Sequence, residues 1–120
     1  MTDTIAPLPM TNSPWGMIQQ VAQIAEGIWQ VSTASHGGLK ISDQRLAAMP
    51  AERRSTPYSH DGWFEEDLDW ALVAISFPEA FRPEDVAMAR QSLARYYPEI
   101  SLAEPAPPAK AAAFLDSSDR

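Results

Sequence analysis

The chain has 120 residues, enough for one domain with a modest core, and sixteen Asp and Glu against nine Lys and Arg give a formal charge of −7. That balance argues against direct nucleic-acid binding and against anionic membrane surfaces, which need basic patches; it fits plain solubility, or docking on a basic protein. The lack of cysteine excludes disulfides, thiolate catalysis and zinc–thiolate sites, and with no signal-like leader and no apolar run near ~20 residues a cytoplasmic protein is expected.

Residues 1–12 carry Pro7 and Pro9 with little periodicity, and residues 103–120 carry Pro105, Pro107, Pro108, an alanine run and a polar end. Both read as flexible tails around a single domain at 13–102, with Phe114-Leu115 as an apolar pair in the second tail. Ser13-Pro14 suits a helix N-cap and first turn, whereas Ile24-Ala25-Glu26-Gly27-Ile28 suits a hairpin. Paired strands are expected at Met17–Ile24 and Ile28–Ala34, the first with a helical alternative. Leu39-Lys40-Ile41 reads as a short third strand or an extended lead into a helix, whose start is marked by Ser42 as N-cap, Asp43, and Ile41 stapled to Leu46. Pro50 ends that helix, and Ala51 to His60 reads as a polar loop with Arg53 and Arg54 in water.

The periodicity from Trp63 to Phe77, closed by Pro78, predicts a central helix. At ~100° per residue, Phe64, Leu68, Ala71, Leu72 and Ile75 share one face and Trp63, Trp70, Val73 and Phe77 a second; Glu65, Asp69 and Ser76 fall on a narrow wet stripe. Its β-branched second half also admits a strand, but the length favours a helix. Glu66 falls on the second apolar face, one turn from Trp70, and Asp67 between the two faces, where a partly desolvated carboxylate needs hydrogen-bond donors or a cation. Arg82-Pro83-Glu84-Asp85 opens a last helix to about Tyr97, apolar along Val86, Ala89, Leu93, Tyr96 and Tyr97, and stopped by Pro98. The expected fold is α+β: a two- or three-stranded antiparallel sheet packed on two or three helices, the central one at about 63–77.

Three motifs, Ser13-Pro14-Trp15-Gly16, Ser32-Thr33-Ala34-Ser35-His36-Gly37-Gly38, and Gly62-Trp63-Phe64-Glu65-Glu66-Asp67-Leu68-Asp69-Trp70-Ala71 with Phe77-Pro78, carry a resemblance. The chain resembles, over about residues 13–80, an uncharacterised family of small domains encoded by bacterial plasmids, phages and integrated elements. That family often has cysteine where this chain has Leu68, so no cysteine chemistry carries over. The resemblance implies a setting, mobile genetic elements, and no reaction. Small acidic proteins of that setting are frequently inhibitors of host defence, such as anti-CRISPR or antirestriction proteins.

Ser35 and His36 beside Glu66 or Asp67 contain the residue types of a nucleophile, a base and an orienting acid. Adjacent strand residues point apart, however, and no G-x-S-x-G elbow is present. Gly37-Gly38 with its hydroxyls offers only a weak anion nest, Lys40 being the one nearby cation. His36, His60, Glu65, Glu66, Asp67 and Asp69 lack metal-motif spacing, so neither metal nor cofactor is expected. The structural alternative makes Ser32, Ser35 and His36 a buried polar junction with Glu66 and Asp67, His36 being a strut whose loss lowers stability. Trp15, Trp29, Trp63 and Trp70 are mostly core residues; Trp63 and Trp29 beside Glu65 and Asp69 form the expected interaction surface. The functional expectation is a non-enzymatic domain, monomer or homodimer, that binds a protein partner, for instance a nucleic-acid-binding host defence complex. The runner-up is a small hydrolase or ligand-binding enzyme centred on His36 with Glu66 or Asp67.

Overall fold

Short strands paired in chain order build an antiparallel meander, seen in a computed structural model that describes residues 11–103. The expected tails, apart from Thr11, Asn12 and Ala103, and with them Phe114-Leu115, lie outside the described residues. A small hairpin comes first, pairing β1 (Asn12–Ser13) with β2 (Gly16–Met17). Ser13 Oγ accepts from the Trp15 N–H at 3.1 Å and donates to the Gly16 carbonyl at 2.8 Å, and Gly16 takes a φ of +122°. Ser13-Pro14 is therefore a hairpin turn and not a helix cap.

The main sheet has four strands in the order β3 (Gln20–Ala25), β4 (Ile28–Ser32), β5 (Gly37–Ile41) and β6 (Trp63–Glu65). The register Ile28↔Ile41 and Leu39↔Phe64 puts these four side chains on one face, all in the core. On the other face Trp29, Lys40 and Trp63 align across three strands, Lys40 Nζ lying 5.0 Å from the Trp63 ring centroid. Trp15 meets Trp63 edge-on, with ring centroids 5.7 Å apart.

The helical layer consists of α1 (Asp43–Ala48), α2 (Trp70–Ser76) and α3 (Pro83–Tyr96). The Ser42 side chain caps α1 by accepting from the Arg45 N–H at 3.1 Å, as its position in the sequence predicts. Ala71 to Ser76 are all buried, so α2 lies between the sheet and α3, whose Ala89 and Leu93 face it in the core. No helix of the described residues is long and apolar enough to cross a membrane.

The α+β class holds, with four strands in the main sheet instead of two or three, while the expected 63–77 helix divides. Trp63–Glu65 is the fourth strand and the helix begins only at Trp70. The Glu65 carboxylate accepts the backbone N–H groups of Asp67, Leu68 and Asp69 at 2.8, 2.9 and 3.0 Å, fastening a turn between the two elements. Trp63 and Phe64 are both buried because the sheet is covered on both faces there, so a period of two passes for helical periodicity. Other boundaries shift too: Met17–Ile24 divides between β2 and β3, and β4 stops at Ser32 rather than Ala34. The glycine pair lies inside β5 rather than before it.

The 51–60 loop is less exposed than its composition suggests. Arg53 is only 2% exposed, its Nη2 donating to the carbonyls of Ser101 and Ala103 at 2.8 and 2.6 Å. Arg54 is exposed, but its guanidinium holds the carbonyls of Met49 and Ala47 at the end of α1.

Candidate functional site: an acidic and aromatic cleft

The loop between β4 and β5 is closed by one side chain. Thr33 Oγ1 donates to the His36 carbonyl at 2.7 Å and accepts from the His36 N–H at 3.1 Å, while the Thr33 N–H reaches the same carbonyl at 2.8 Å. The following strand brings Gly37 beside the 65–69 turn, where the Glu66 N–H donates to the Gly37 carbonyl at 3.0 Å. Gly38 admits two neighbours at once: a Cβ there would stand 2.2 Å from the Phe64 carbonyl oxygen and 2.6 Å from the Trp15 ring. Trp15 is thereby seated against the sheet end, next to the loop and the turn.

These pieces enclose an open cleft of about 470 Å³, with Trp15, Tyr58, Leu68 and Tyr97 as walls and His36, Glu65, Glu66 and Asp67 contributing polar groups. A second cleft of about 410 Å³, lined by Trp70, Phe81 and Met88 among others, shares Glu66 with it. Glu66 and Asp67 are exposed and take part in no ion pair among the described residues. The His36 ring is exposed and makes no hydrogen bond among them either.

Beneath the cleft lies a polar cluster that sequence reasoning missed. Asp69 has no exposed surface, and its carboxylate accepts from Thr56 Oγ1 and Ser59 Oγ, both at 2.5 Å, and from Tyr97 OH at 2.9 Å. Ser59 Oγ also accepts the Glu65 N–H at 3.1 Å, tying the 56–59 loop to β6. Burial, and next the hydrogen bond to Asp69, push the Tyr97 hydroxyl up to about 12, so it remains a proton-bearing donor at neutral pH. Three hydroxyls thus solvate a buried carboxylate, with no cation from the described residues in the cluster.

A family model described as a domain of unknown function (DUF7007) matches residues 9–106. The chain belongs to that family. The DUF7007 match spans every residue of the cleft and of the cluster beneath it. Neither the curated proteins nor the solved structures contain a match.

In this DUF7007 domain the acids are placed the other way round from the helical wheel. Asp69, expected in water, is buried, and Glu65 is half-buried at its cap, whereas Glu66 and Asp67, expected to be partly desolvated, are exposed. The turn at 66–69 breaks the wheel between Glu65 and Trp70, and that resets which way each acid points. The structure does not build the expected buried junction: His36, Glu66 and Asp67 line one cleft but are exposed and joined by no hydrogen bond, Ser32 and Ser35 do not line it, and Thr33 fixes the loop. The expected surface changes as well. Trp63 is 8% exposed beneath Trp15 and Lys40, and Trp29 is half-buried, so the aromatic groups at the cleft are Trp15, Tyr58 and Tyr97 instead. Among the described residues no cluster of His, Asp and Glu is arranged to hold a metal ion.

Proposed function

We propose that the domain is a non-enzymatic interaction module of a mobile genetic element, acting in the cytoplasm, that uses this cleft to bind a cationic segment of a protein partner. One observation carries the proposal. Trp15 and Tyr58 flank the carboxylates of Glu66 and Asp67, which have no cationic partner among the described residues and stand at the rim of an open cleft in a chain of charge −7. Aromatic walls supply contact area, and the rim charges steer a basic partner and align it. The mobile-element setting is supported by the resemblance of the motifs, and inhibition of a host defence complex is its most concrete form. A defence complex that holds nucleic acid offers basic surface for an acidic domain to occupy.

The test is binding of lysine- and arginine-containing peptides, read from Trp15 fluorescence and from the ring signals of His36. Binding should weaken as salt rises, and reversing Glu66 and Asp67 to Lys should abolish it with the fold intact. Binding unchanged by that reversal would sink the proposal.

A second reading, a small hydrolase or ligand-binding enzyme, draws on the meeting of His36, Glu66 and Asp67 at one cleft. It requires an orienting hydrogen bond to the imidazole and a hydroxyl nucleophile within reach, and Ser35 does not line the cleft. Turnover of ester, phosphate or glycoside substrates that disappears in His36→Ala would establish it.

A further inference from the structure

The sheet has two edges, and they are treated differently. At β6 the edge strand is three residues long; His60 pairs with Trp63 beside it and Ser59 Oγ takes the Glu65 N–H. At the other end β3 runs for six residues, Gln-Val-Ala-Gln-Ile-Ala, and among the described residues it pairs with β4 on one side only. It holds no proline and no charge, two of the usual devices that stop a free strand from pairing. The one irregularity, a bulge between Gln23 and Ala25, lies at its end and leaves Gln20–Gln23 in regular register.

Charge distribution singles out the same edge. Between Asp3 and Glu26 the sequence contains no Asp, Glu, Lys or Arg, and the described part of that stretch forms β1, β2 and β3. Within β3 itself, apolar side chains are exposed: Val21 at 42% and Ile24 at 37%. Two chains of charge −7 repel across most approaches, and this edge brings together neutral backbone and apolar side chains with no like charges opposed. A basic partner, by contrast, is drawn to the carboxylates of the cleft at the opposite end of the strand order.

We propose that β3 pairs antiparallel with β3 of a second copy of this chain, about a two-fold axis perpendicular to the sheet. The four-stranded sheets then join as one of eight, with the peptide groups of Gln20–Gln23 that face away from β4 satisfied across the axis. The same strand is its own neutral complement, and the cleft on the far side of each sheet stays open.

Sedimentation equilibrium at micromolar concentration should give twice the 13.2 kDa chain mass. Val21→Glu and Val21→Lys each place like charges across the axis and should raise the dimer dissociation constant about tenfold or more. Mixing the two variants should restore the dimer, because opposite charges then face one another. Circular dichroism checks that each variant folds; if either does not, the Ala22→Glu and Ala22→Lys pair carries the same test. Exchange of the amides in Gln20–Gln23 that face away from β4 should slow as protein concentration rises. A wild-type chain that stays monomeric, or variants that dimerise as the wild type does, would overturn the proposal.

Discussion

Replacing Tyr97 by Phe isolates the cluster under the cleft, because it removes one hydroxyl and leaves the ring. Asp69 is inaccessible to water, so the donor lost from its Oδ1 has no ready substitute. Hydrogen bonds to charged groups contribute about 1.5–3 kcal/mol, and Tyr97 is only half-buried, so a loss of about 2 kcal/mol is expected. For a domain of this size that lowers the melting temperature by about 10 °C. Urea denaturation should show a lower midpoint with an unchanged slope. Tyr96→Phe, at an exposed position, should stay within about 0.5 kcal/mol of the wild type. The alkaline limb gives a second reading. The folded state holds the Tyr97 proton up to about 12 against 10.0 for the free group, so the unfolded state releases it first. Stability from this group is therefore complete below pH 10.0 and is lost as pH rises toward about 12, and Tyr97→Phe should lack that component. A Phe variant as stable as the wild type, with the same alkaline profile, would refute the role given to the cluster.

Other substitutions probe the remaining supports. Gly38→Ala drives a methyl group into the Phe64 carbonyl and the Trp15 ring, and should destabilise by about 3 kcal/mol in urea titrations. Glu65→Ala leaves three N–H groups of the 66–69 turn without their acceptor and should cost about 2 kcal/mol by the same assay. Arg53→Met removes the donors that hold Ser101 and Ala103, and should cost about 3 kcal/mol and speed amide exchange in the 97–103 segment. His36→Ala should leave the stability within about 0.5 kcal/mol of the wild type in urea titrations, because its exposed ring supports nothing that a strut would support.

Much of the fold was legible wherever local chemistry decides it. Gly27 marks the hairpin, Ser42 marks a helix start, and Pro83 and Pro98 bracket the last helix, because each acts on its own few neighbours. The 63–77 segment was misread because a strand covered on both faces and a buried helix are both continuously apolar, so only tertiary contacts separate them. Four acids within 65–69 gave no sign of which one is buried. That depends on Thr56, Ser59 and Tyr97, which reach Asp69 from 13, 10 and 28 residues away. The cleft was half legible: the motifs drew His36, Glu66 and Asp67 together, but Trp15 and Tyr58 arrive from the 13–16 hairpin turn and the 51–60 loop, with no spacing rule linking them.

The hold of Arg53 on Ser101 and Ala103 also bears on how the chain reaches its folded state. These contacts span 48 and 50 residues and close only when the last described residues are in place. Until then a guanidinium destined for the interior has no carbonyls to receive it, and burial without them is strongly unfavourable. A chain still emerging from the ribosome can form its β-meander, but it gains nothing by closing the layer around Arg53 early. Burial of the Arg53 guanidinium thus waits on the 101–103 segment, far later in the chain than the side chain it receives.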